Sequence, residues 1–120
     1  MLGAIRRFLG RLGESDEARL ATEVRTWADS IEGTTRIAEA PLRQPIRIAG
    51  VIRRMTVLPL EGKEALQVLL SDGSGEVAAL FMGRRGIGGL SLGKRVVVEG
   101  VLAEHRGERR MVNPRLEFAG

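Results

Sequence analysis

The chain of 120 residues contains no cysteine and no tyrosine, one histidine, one tryptophan and three phenylalanines. Without cysteine it forms neither disulfides nor thiolate metal sites, and the single His105 offers no imidazole cluster to zinc. We therefore expect neither a metal nor a cofactor. With so few aromatic residues, the core must consist of valine, leucine and isoleucine. Hydrophobic residues make up 43% of the chain, which is enough for one packed domain.

Long apolar runs are also missing. None approaches the roughly 18 residues that a membrane-spanning helix needs, and arginines interrupt the apolar residues of segment 1–12, unlike a signal peptide. We therefore expect a cytoplasmic protein without membrane insertion. Catalytic patterns are missing as well. The glycine-rich segment 83–89 does not lead from a strand into a long helix, as a dinucleotide-binding motif would. The acids have no matching nucleophile, and we expect no enzyme.

Charge divides the chain into two parts. Residues 1–40 carry six arginines against seven acids, whereas residues 41–120 carry thirteen lysines and arginines against eight acids, a net charge of +5. A basic domain attracts polyanions, although net charge steers binding rather than specifying the partner. The excess of arginine over lysine fits bidentate phosphate contacts, and it fits a GC-rich genome equally well.

The first forty residues have the periodicity of helices. Apolar residues at helical spacing predict a short basic amphipathic helix over Leu2–Leu12 that ends near Gly13. Ser15 predicts the cap of a second helix, whose apolar stripe includes Trp27 and which ends at Gly33. On that stripe Trp27 is expected to pack rather than to stack on bases. The segment that follows, 34–40, has the composition of a linker.

From Ile46 onward the hydrophobic period changes to two, which predicts strands. Gly50, in the middle of the first strand, indicates a bulge or a sharp bend. Five strands are expected, with a glycine-rich insertion at 83–90 between the third and the fourth. They begin near Ile46, Ala65, Val77, Gly93 and Met111, and the last is interrupted by Asn113-Pro114. Loops are expected over Leu58–Lys63 and His105–Arg110.

The turn Asp72-Gly73-Ser74-Gly75 lies between the second and third predicted strands. Asp-Gly is a strong hairpin signal, because glycine accepts the positive φ that such turns require. An aspartate here is expected to bond to the turn backbone rather than to act as a catalytic or metal-binding carboxylate. The turn therefore fixes the second and third strands, and Asp72 is assigned to structure.

Five strands with an insertion between the third and fourth are the architecture of the OB-fold, a small β-barrel. The segments Ile48–Ile52, Leu70–Val77 and Leu92–Val101 resemble OB-fold nucleic-acid-binding domains. Segment 105–117 resembles the end of the wedge domain of RecG-type helicases, and the whole chain resembles small stand-alone OB-fold proteins of high-GC bacteria. The resemblance implies a mainly β chain, with an N-terminal helical segment and linker over 1–40 and the five-stranded barrel over 41–120.

OB-folds bind strands across the face of their second and third strands, framed by two loops. The resemblance therefore implies a ligand site on that face and at the loops Leu58–Lys63 and His105–Arg110. Phe81 is the one aromatic candidate, although its phase with Val77 and Ala79 favours the core. The candidate nucleic-acid-binding residues are Arg47, Arg53, Arg54, Lys63, Phe81, Arg84, Arg85, Arg106, Arg109 and Arg110.

Two functions follow as hypotheses. The first is a non-enzymatic module that binds single-stranded or branched DNA, with a role in DNA repair or recombination. DNA is favoured over RNA only through the resemblance to the helicase wedge, and RNA stays open as a ligand. The alternative is a protein-interaction module or a homo-oligomer that docks through the helices of residues 2–31. No phosphate-binding loop of a helicase motor is present, so a wedge-like role would need a partner that supplies energy.

Overall fold

The computed structural model describes residues 2–119, with side chains from residue 16 onward. A single helix, α1 (Leu2–Asp29), precedes a short 3-10 turn (Ile37–Glu39). The prediction of two helices was wrong, because α1 runs through both Gly13 and Ser15. One glycine costs a helix only about 1 kcal/mol relative to alanine, which does not suffice to end it. Within the described residues, no helix is both long and apolar enough to cross a lipid bilayer.

The rest of the chain is mainly β, and its strands form one sheet. They are β1 (Pro45–Leu60), β2 (Lys63–Ser71), β3 (Glu76–Met82), β4 (Arg95–Val101), β5 (Ala103–His105), β6 (Glu108–Val112) and β7 (Arg115–Phe118). Their order across the sheet is β5-β6-β3-β2-β1-β4-β7. All neighbours are antiparallel except β3 and β6, which run parallel.

The seven strands differ from the five that we expected because two of the predicted strands are interrupted. Leu102 separates β4 from β5, and its N–H donates to the carbonyl of Gln44 at 3.3 Å rather than to a strand of the hairpin. Asn113-Pro114 separates β6 from β7, and proline has no N–H for a ladder. These breaks let one hairpin, residues 95–118, reach both ends of the sheet. The two ends are therefore close in space, although no ladder of the described residues joins β5 to β7.

The core lies against one face of this sheet and is mainly aliphatic, as the composition predicted. A bulge keeps β1 in phase with it: the register shifts between Ile52 and Arg54, so that Arg53 is an extra residue. As a result Ile52 and Met55 both face the core, while Arg54 points outward. The largest fully buried apolar side chains are Ile37, Ile48, Ile52, Leu66, Leu70, Leu102, Met111, Val68, Val77, Val96 and Val98.

The two predicted loops are in fact tight hairpin turns. β1 extends to Leu60 and β2 starts at Lys63, which leaves Glu61-Gly62 with φ of 53° and 75°. Likewise β5 ends at His105 and β6 starts at Glu108, which leaves Arg106-Gly107 with φ of 51° and 82°. Two positive φ values define the type I′ turn, whose twist suits a two-residue hairpin. Pro59 suggested a loop, but it lies in β1 opposite Glu64, beyond the part of β1 that pairs with β4.

Helix α1 docks on the sheet through small side chains. Ala28 is buried against Ala49 of β1 and Val97 of β4, and Trp27 and Ile31 pack beside them. Trp27 thus packs on its stripe, as its spacing predicted.

The turn between β2 and β3 holds α1 and the 3-10 turn through the carboxylate of Asp72. Its Oδ1 accepts hydrogen bonds from the N–H groups of Ser74 and Gly75, at 2.9 and 3.1 Å, and from the Ser74 hydroxyl. Its Oδ2 accepts from Arg25 Nη1 of α1 at 2.6 Å and from the N–H of Ile37 at 2.8 Å. The prediction that Asp72 serves the turn is confirmed, and the carboxylate also joins three elements.

The same turn approaches the helix without space for a side chain. A Cβ on Gly73 would lie 2.4 Å from the carbonyl oxygen of Ala21, and φ at this glycine is +84°. A Cβ on Gly75 would lie 3.1 Å from Cγ2 of Ile37. Both glycines are therefore needed for close packing, and Gly73 is needed for the turn conformation as well.

Candidate nucleic-acid interface

A groove crosses the outer face of the sheet between β1–β3 and the β5–β6 hairpin. Its volume is about 760 Å³. Outward residues of three adjacent strands form its floor, and the hairpin forms one wall. The lining consists of Ile37, Ala38, Arg54, Thr56, Gln67, Leu69, Ser74, Gly75, Glu76, Ala78, Gly107, Glu108 and Arg109. We use the name groove for this cleft together with the extension described in the next paragraph.

The groove continues into a smaller cleft of about 180 Å³ toward the β1–β2 hairpin. The two share Gln67, Ala78 and Glu108, so they form one path across the sheet. The extension adds an apolar floor of Leu58, Leu60 and Leu80. It also adds the side chains of His105 and Arg110.

Strand alternation explains which side chains line the groove. Leu66, Val68 and Leu70 of β2 face the core, so Gln67 and Leu69 face outward. On β3 the same rule turns Glu76 and Ala78 outward. On β1 the bulge at Arg53 resets the alternation and brings Arg54 into the groove.

The groove carries both signs of charge. Arg54, Arg109 and Arg110 line it together with Glu76 and Glu108. Arg109 also donates a hydrogen bond to the carbonyl of Ile37, which fixes its guanidinium at one end of the groove. The described lining contains no phenylalanine, tyrosine or tryptophan ring. The groove can therefore offer amide, hydroxyl and guanidinium donors over an apolar floor, but not a uniformly basic surface.

The other predicted residues lie around the groove or away from it. Arg106 forms the exposed tip of the β5–β6 hairpin, next to Gly107 of the groove wall. Lys63, Arg84 and Arg85 lie where the β1–β2 hairpin meets the end of β3, and Arg85 Nε is 3.2 Å from Glu64 Oε2. Phe81 is 7% exposed and belongs to the core. Its ring therefore has no free face for a base.

Arg47 and Arg53 lie on the side of the sheet that carries α1. Arg47 is 3.6 Å from Glu117 and 4.0 Å from Glu99, so acids of β4 and β7 neutralise it. Arg53 lines a cleft between α1 and β1, not the groove. The structure therefore brings together Arg54, Arg109 and Arg110 with Arg106 beside them, and separates them from Arg47 and Arg53.

Several groove residues were missed from the sequence. Gln67 and Thr56 lie at outward positions of predicted strands, so alternation could have found Gln67. Glu76 and Glu108 each begin a strand after a turn, and counting only cations concealed them. Among the residues with described side chains, no group of three His, Cys, Asp or Glu could hold a metal ion.

Comparison with solved structures finds a similar fold in other proteins. A chain of a Replication Protein A heterotrimer bound to ssDNA matches with a TM-score of 0.51 and 13% identity, over 74% of this chain and 67% of that one. The OB domain of Ta0387 from Thermoplasma acidophilum matches with a TM-score of 0.54 and 16% identity, over 72% of this chain and 86% of that domain. The chain has an OB-fold.

This OB-fold is recognised from structure and not from sequence families. No family model matches the chain, and no curated protein matches it. At 13% and 16% identity the likeness concerns the fold alone. The expected kinship with helicase wedge domains and with small stand-alone OB-fold proteins stays a prediction.

Proposed function

We propose that the chain is a non-enzymatic module that binds single-stranded nucleic acid along the groove. The observation that carries this proposal is the position of the groove. It crosses the outer face of β2 and β3 between the β1–β2 and β5–β6 hairpins. If β4 and β5 together are taken as the fourth strand of a five-stranded OB-fold, and β6 and β7 as the fifth, the groove lies on the strand 2–3 face. OB-folds bind oligonucleotides on that face. The similar Replication Protein A chain belongs to a complex with ssDNA, which supports the same ligand class.

The lining suggests how a strand would be held. Arg54 and Arg106 would contact phosphates, and Gln67 would form hydrogen bonds with base edges or sugars near the middle of the groove. Bases would lie against the apolar floor at Leu69 and Ala78. Each aromatic stack in other single-strand binders contributes about 1–3 kcal/mol, and this groove has none. We therefore expect modest affinity with a clear dependence on salt.

Single-stranded or branched DNA is the preferred ligand in this proposal, on the resemblance of segment 105–117 to a helicase wedge. Fluorescence anisotropy with labelled single-stranded DNA, a DNA junction and single-stranded RNA of equal length compares the three. The expected order of affinity is either DNA form above RNA. Equal affinity for RNA would remove the preference for DNA and leave the groove proposal intact.

A pair of glutamine variants tests the groove itself. Gln67→Glu places a carboxylate at its centre with almost no change in shape, and should weaken binding by about 1 kcal/mol or more, because a negative charge in the groove repels a polyanionic strand. Gln44→Glu makes the same change of charge at an exposed site before β1 and outside the groove lining, and should bind as the wild type does. If the two variants bind equally well, or if binding is indifferent to salt, the groove is not the site.

A deletion distinguishes this proposal from docking through the N-terminal helix. The face predicted over Leu2–Leu12 lies outside the residues whose side chains the structure describes. Removal of residues 1–13 should leave binding to DNA unchanged and the sheet folded. If the deletion instead abolishes binding or dissociates an oligomer, the helix is the functional surface and the alternative hypothesis replaces the groove.

A further inference from the structure

A second cleft lies at the other end of the sheet, where β4 and β7 meet the segment after β3. Its volume is about 600 Å³, and its lining residues are Gly89, Gly93, Lys94, Arg95, Phe118 and Ala119. It shares no lining residue with the groove. We call it the Phe118 cleft, and its chemistry differs from that of the groove in two respects.

The first difference is an accessible aromatic ring. Phe118 is 50% exposed, and it packs so closely on Gly89 that a Cβ there would lie 3.1 Å from the Phe118 Cζ. Gly89 has a φ of +89°, a conformation that favours glycine. The glycine therefore lies at the Cζ end of the ring and adds no side chain that would cover it. A ring that is held in place and half exposed is suited to stacking on a base.

The second difference is charge. Lys94 and Arg95 line the cleft, and its described lining residues include no carboxylate. The Arg95 guanidinium carbon also lies 5.0 Å from the centre of the Trp27 ring, so that the indole supports the cation from behind. Bases stack on guanidinium planes as well as on rings. The surface beyond Arg95, on α1, carries Arg19 and one acid, Glu23.

The backbone of the cleft is held by hydrogen bonds. The N–H of Gly93 donates to the carbonyl of Ile52 at 2.8 Å, and the N–H of Ile52 donates to the carbonyl of Lys94 at 3.0 Å. The N–H of Ala119 donates to the carbonyl of Arg95 at 3.0 Å. The two cations and the ring therefore project from a backbone that is already ordered in the folded chain. Binding costs less conformational entropy at such a site.

From these contacts we infer that the Phe118 cleft binds one nucleotide unit of a single strand, with a base on the Phe118 ring or the Arg95 guanidinium and a phosphate at Lys94. The inference rests on the proposed function, since it assumes that the ligand is single-stranded nucleic acid. It goes beyond that function because it places stacking on a phenylalanine ring, which the described groove lining lacks, at a separate surface.

The test uses the full chain and a labelled oligothymidylate. Phe118→Leu removes the ring and keeps apolar bulk, and should weaken binding about five-fold or more, the lower end of one lost stack. Phe118→Tyr keeps a ring and should bind like the wild type. Leu92→Ala is the control, because Leu92 is 66% exposed on the segment after β3, between the lining residues Gly89 and Gly93, and is itself outside the cleft lining. Chemical denaturation of each variant verifies that it is folded.

A direct readout comes from the single tryptophan of the chain, which has no tyrosine. Since Arg95 lies over Trp27, a base that stacks on Arg95 should change the tryptophan emission during the titration, with the same midpoint as the anisotropy. Unchanged emission together with wild-type affinity for Phe118→Leu would overturn the inference.

The groove variant Gln67→Glu, measured in parallel, separates the two proposals. A loss of affinity confined to Gln67→Glu overturns the Phe118 cleft and supports the groove. A loss confined to Phe118→Leu overturns the groove and supports the cleft. Losses in both variants support both surfaces, and the absence of any binding by the wild type overturns both.

Discussion

The β2–β3 turn and the β5–β6 turn share the conformation of one glycine and differ in their surroundings. Gly73 and Gly107 have φ of +84° and +82°, and each lies in a turn that joins paired or neighbouring strands. Around Gly73 the nearest atom to an added Cβ is 2.4 Å away, whereas around Gly107 nothing lies within 4 Å. Asp72 is fully buried, and Arg106 is exposed at the hairpin tip.

The difference shows that the β2–β3 turn holds α1 and the 3-10 turn, whereas the β5–β6 turn lies beside the groove with nothing packed on its glycine. The carboxylate of Asp72 accepts bonds from α1, from the 3-10 turn and from its own turn, so all its bonds serve the fold. The Arg106-Gly107 turn forms the end of a groove wall and has no element packed on it at Gly107. Glycine in a turn therefore reports backbone geometry in both cases and says nothing about exposure.

The largest expected effect is the loss of the buried carboxylate. Asp72→Ala should lower the free energy of unfolding by about 3 kcal/mol, because Arg25 and the N–H of Ile37 lose their partner in a buried setting. Asp16→Ala, on an exposed part of α1, should change the stability by less than about 0.5 kcal/mol. Urea denaturation followed by Trp27 fluorescence measures both. Equal losses of unfolding free energy in the two variants would show that the hydrogen bonds of Asp72 do not stabilise the fold more than an exposed aspartate does.

The same comparison has a pH dependence. Burial by itself would raise the pKa of Asp72, but the hydrogen bonds from Ser74, Ile37 and Arg25 outweigh it and hold this pKa below its ordinary value. A lowered pKa means that the stabilisation is complete above about pH 4, the pKa of an unfolded aspartate, and is lost as the pH falls through the folded value. The difference in unfolding free energy between wild type and Asp72→Ala should therefore narrow below pH 4. A constant difference down to pH 2 would contradict this.

A pair of glycine variants isolates the effect of the surroundings. Gly107→Ala should cost about 1 kcal/mol, the strain of an L-residue at positive φ. Gly73→Ala carries the same strain and a collision with the backbone of α1 at Ala21, so it should cost more than about 2 kcal/mol. Thermal unfolding of both variants provides the comparison. If the two melt at the same temperature, the helix does not pack on the turn as closely as described.

The smallest effect on stability is expected at the hairpin tip. Arg106→Asn should leave the free energy of unfolding within about 0.5 kcal/mol, because asparagine followed by glycine suits a type I′ turn. It should reduce the salt slope of single-strand binding by about 0.7, the share of one phosphate contact. Arg43→Asn is the control, since Arg43 is also exposed at a positive φ of 63° and lies outside the groove lining. An equal loss of salt slope in both variants would indicate that the total charge of the chain matters for binding and the position of Arg106 does not.

Much of the fold could be predicted because alternation is a local signal. The change of period at Ile46, the Asp72-Gly73 hairpin and the break at Asn113-Pro114 each appear within a few residues of sequence. The helix through Gly13 was missed because one glycine is a weak breaker. The loop expected at Leu58–Lys63 was wrong because proline is tolerated where a strand has a single neighbour.

The candidate site was less predictable because it depends on contacts that are distant in sequence. The bulge at Arg53 decides that Arg54, and not Arg53, enters the groove, and only the pairing with β2 reveals it. Glu76 and Glu108 line the same groove although they are 32 residues apart in the sequence, so the mixed charge appears only in three dimensions. Trp27 was correctly assigned to packing, but its contact with Arg95 joins α1 to β4 and has no local signature.

The hairpin that reaches both ends of the sheet has a consequence for how the chain folds. β1 pairs with β4, about fifty residues further along the chain. β3 pairs with β6, and β7, which follows β6, pairs with β4 at the opposite end of the sheet. On a ribosome, β3 therefore lacks its parallel partner until β6 has emerged. Domains dominated by such non-local pairings fold on a scale of about milliseconds to seconds, and we expect this sheet to be completed only after β6 and β7 have been synthesised.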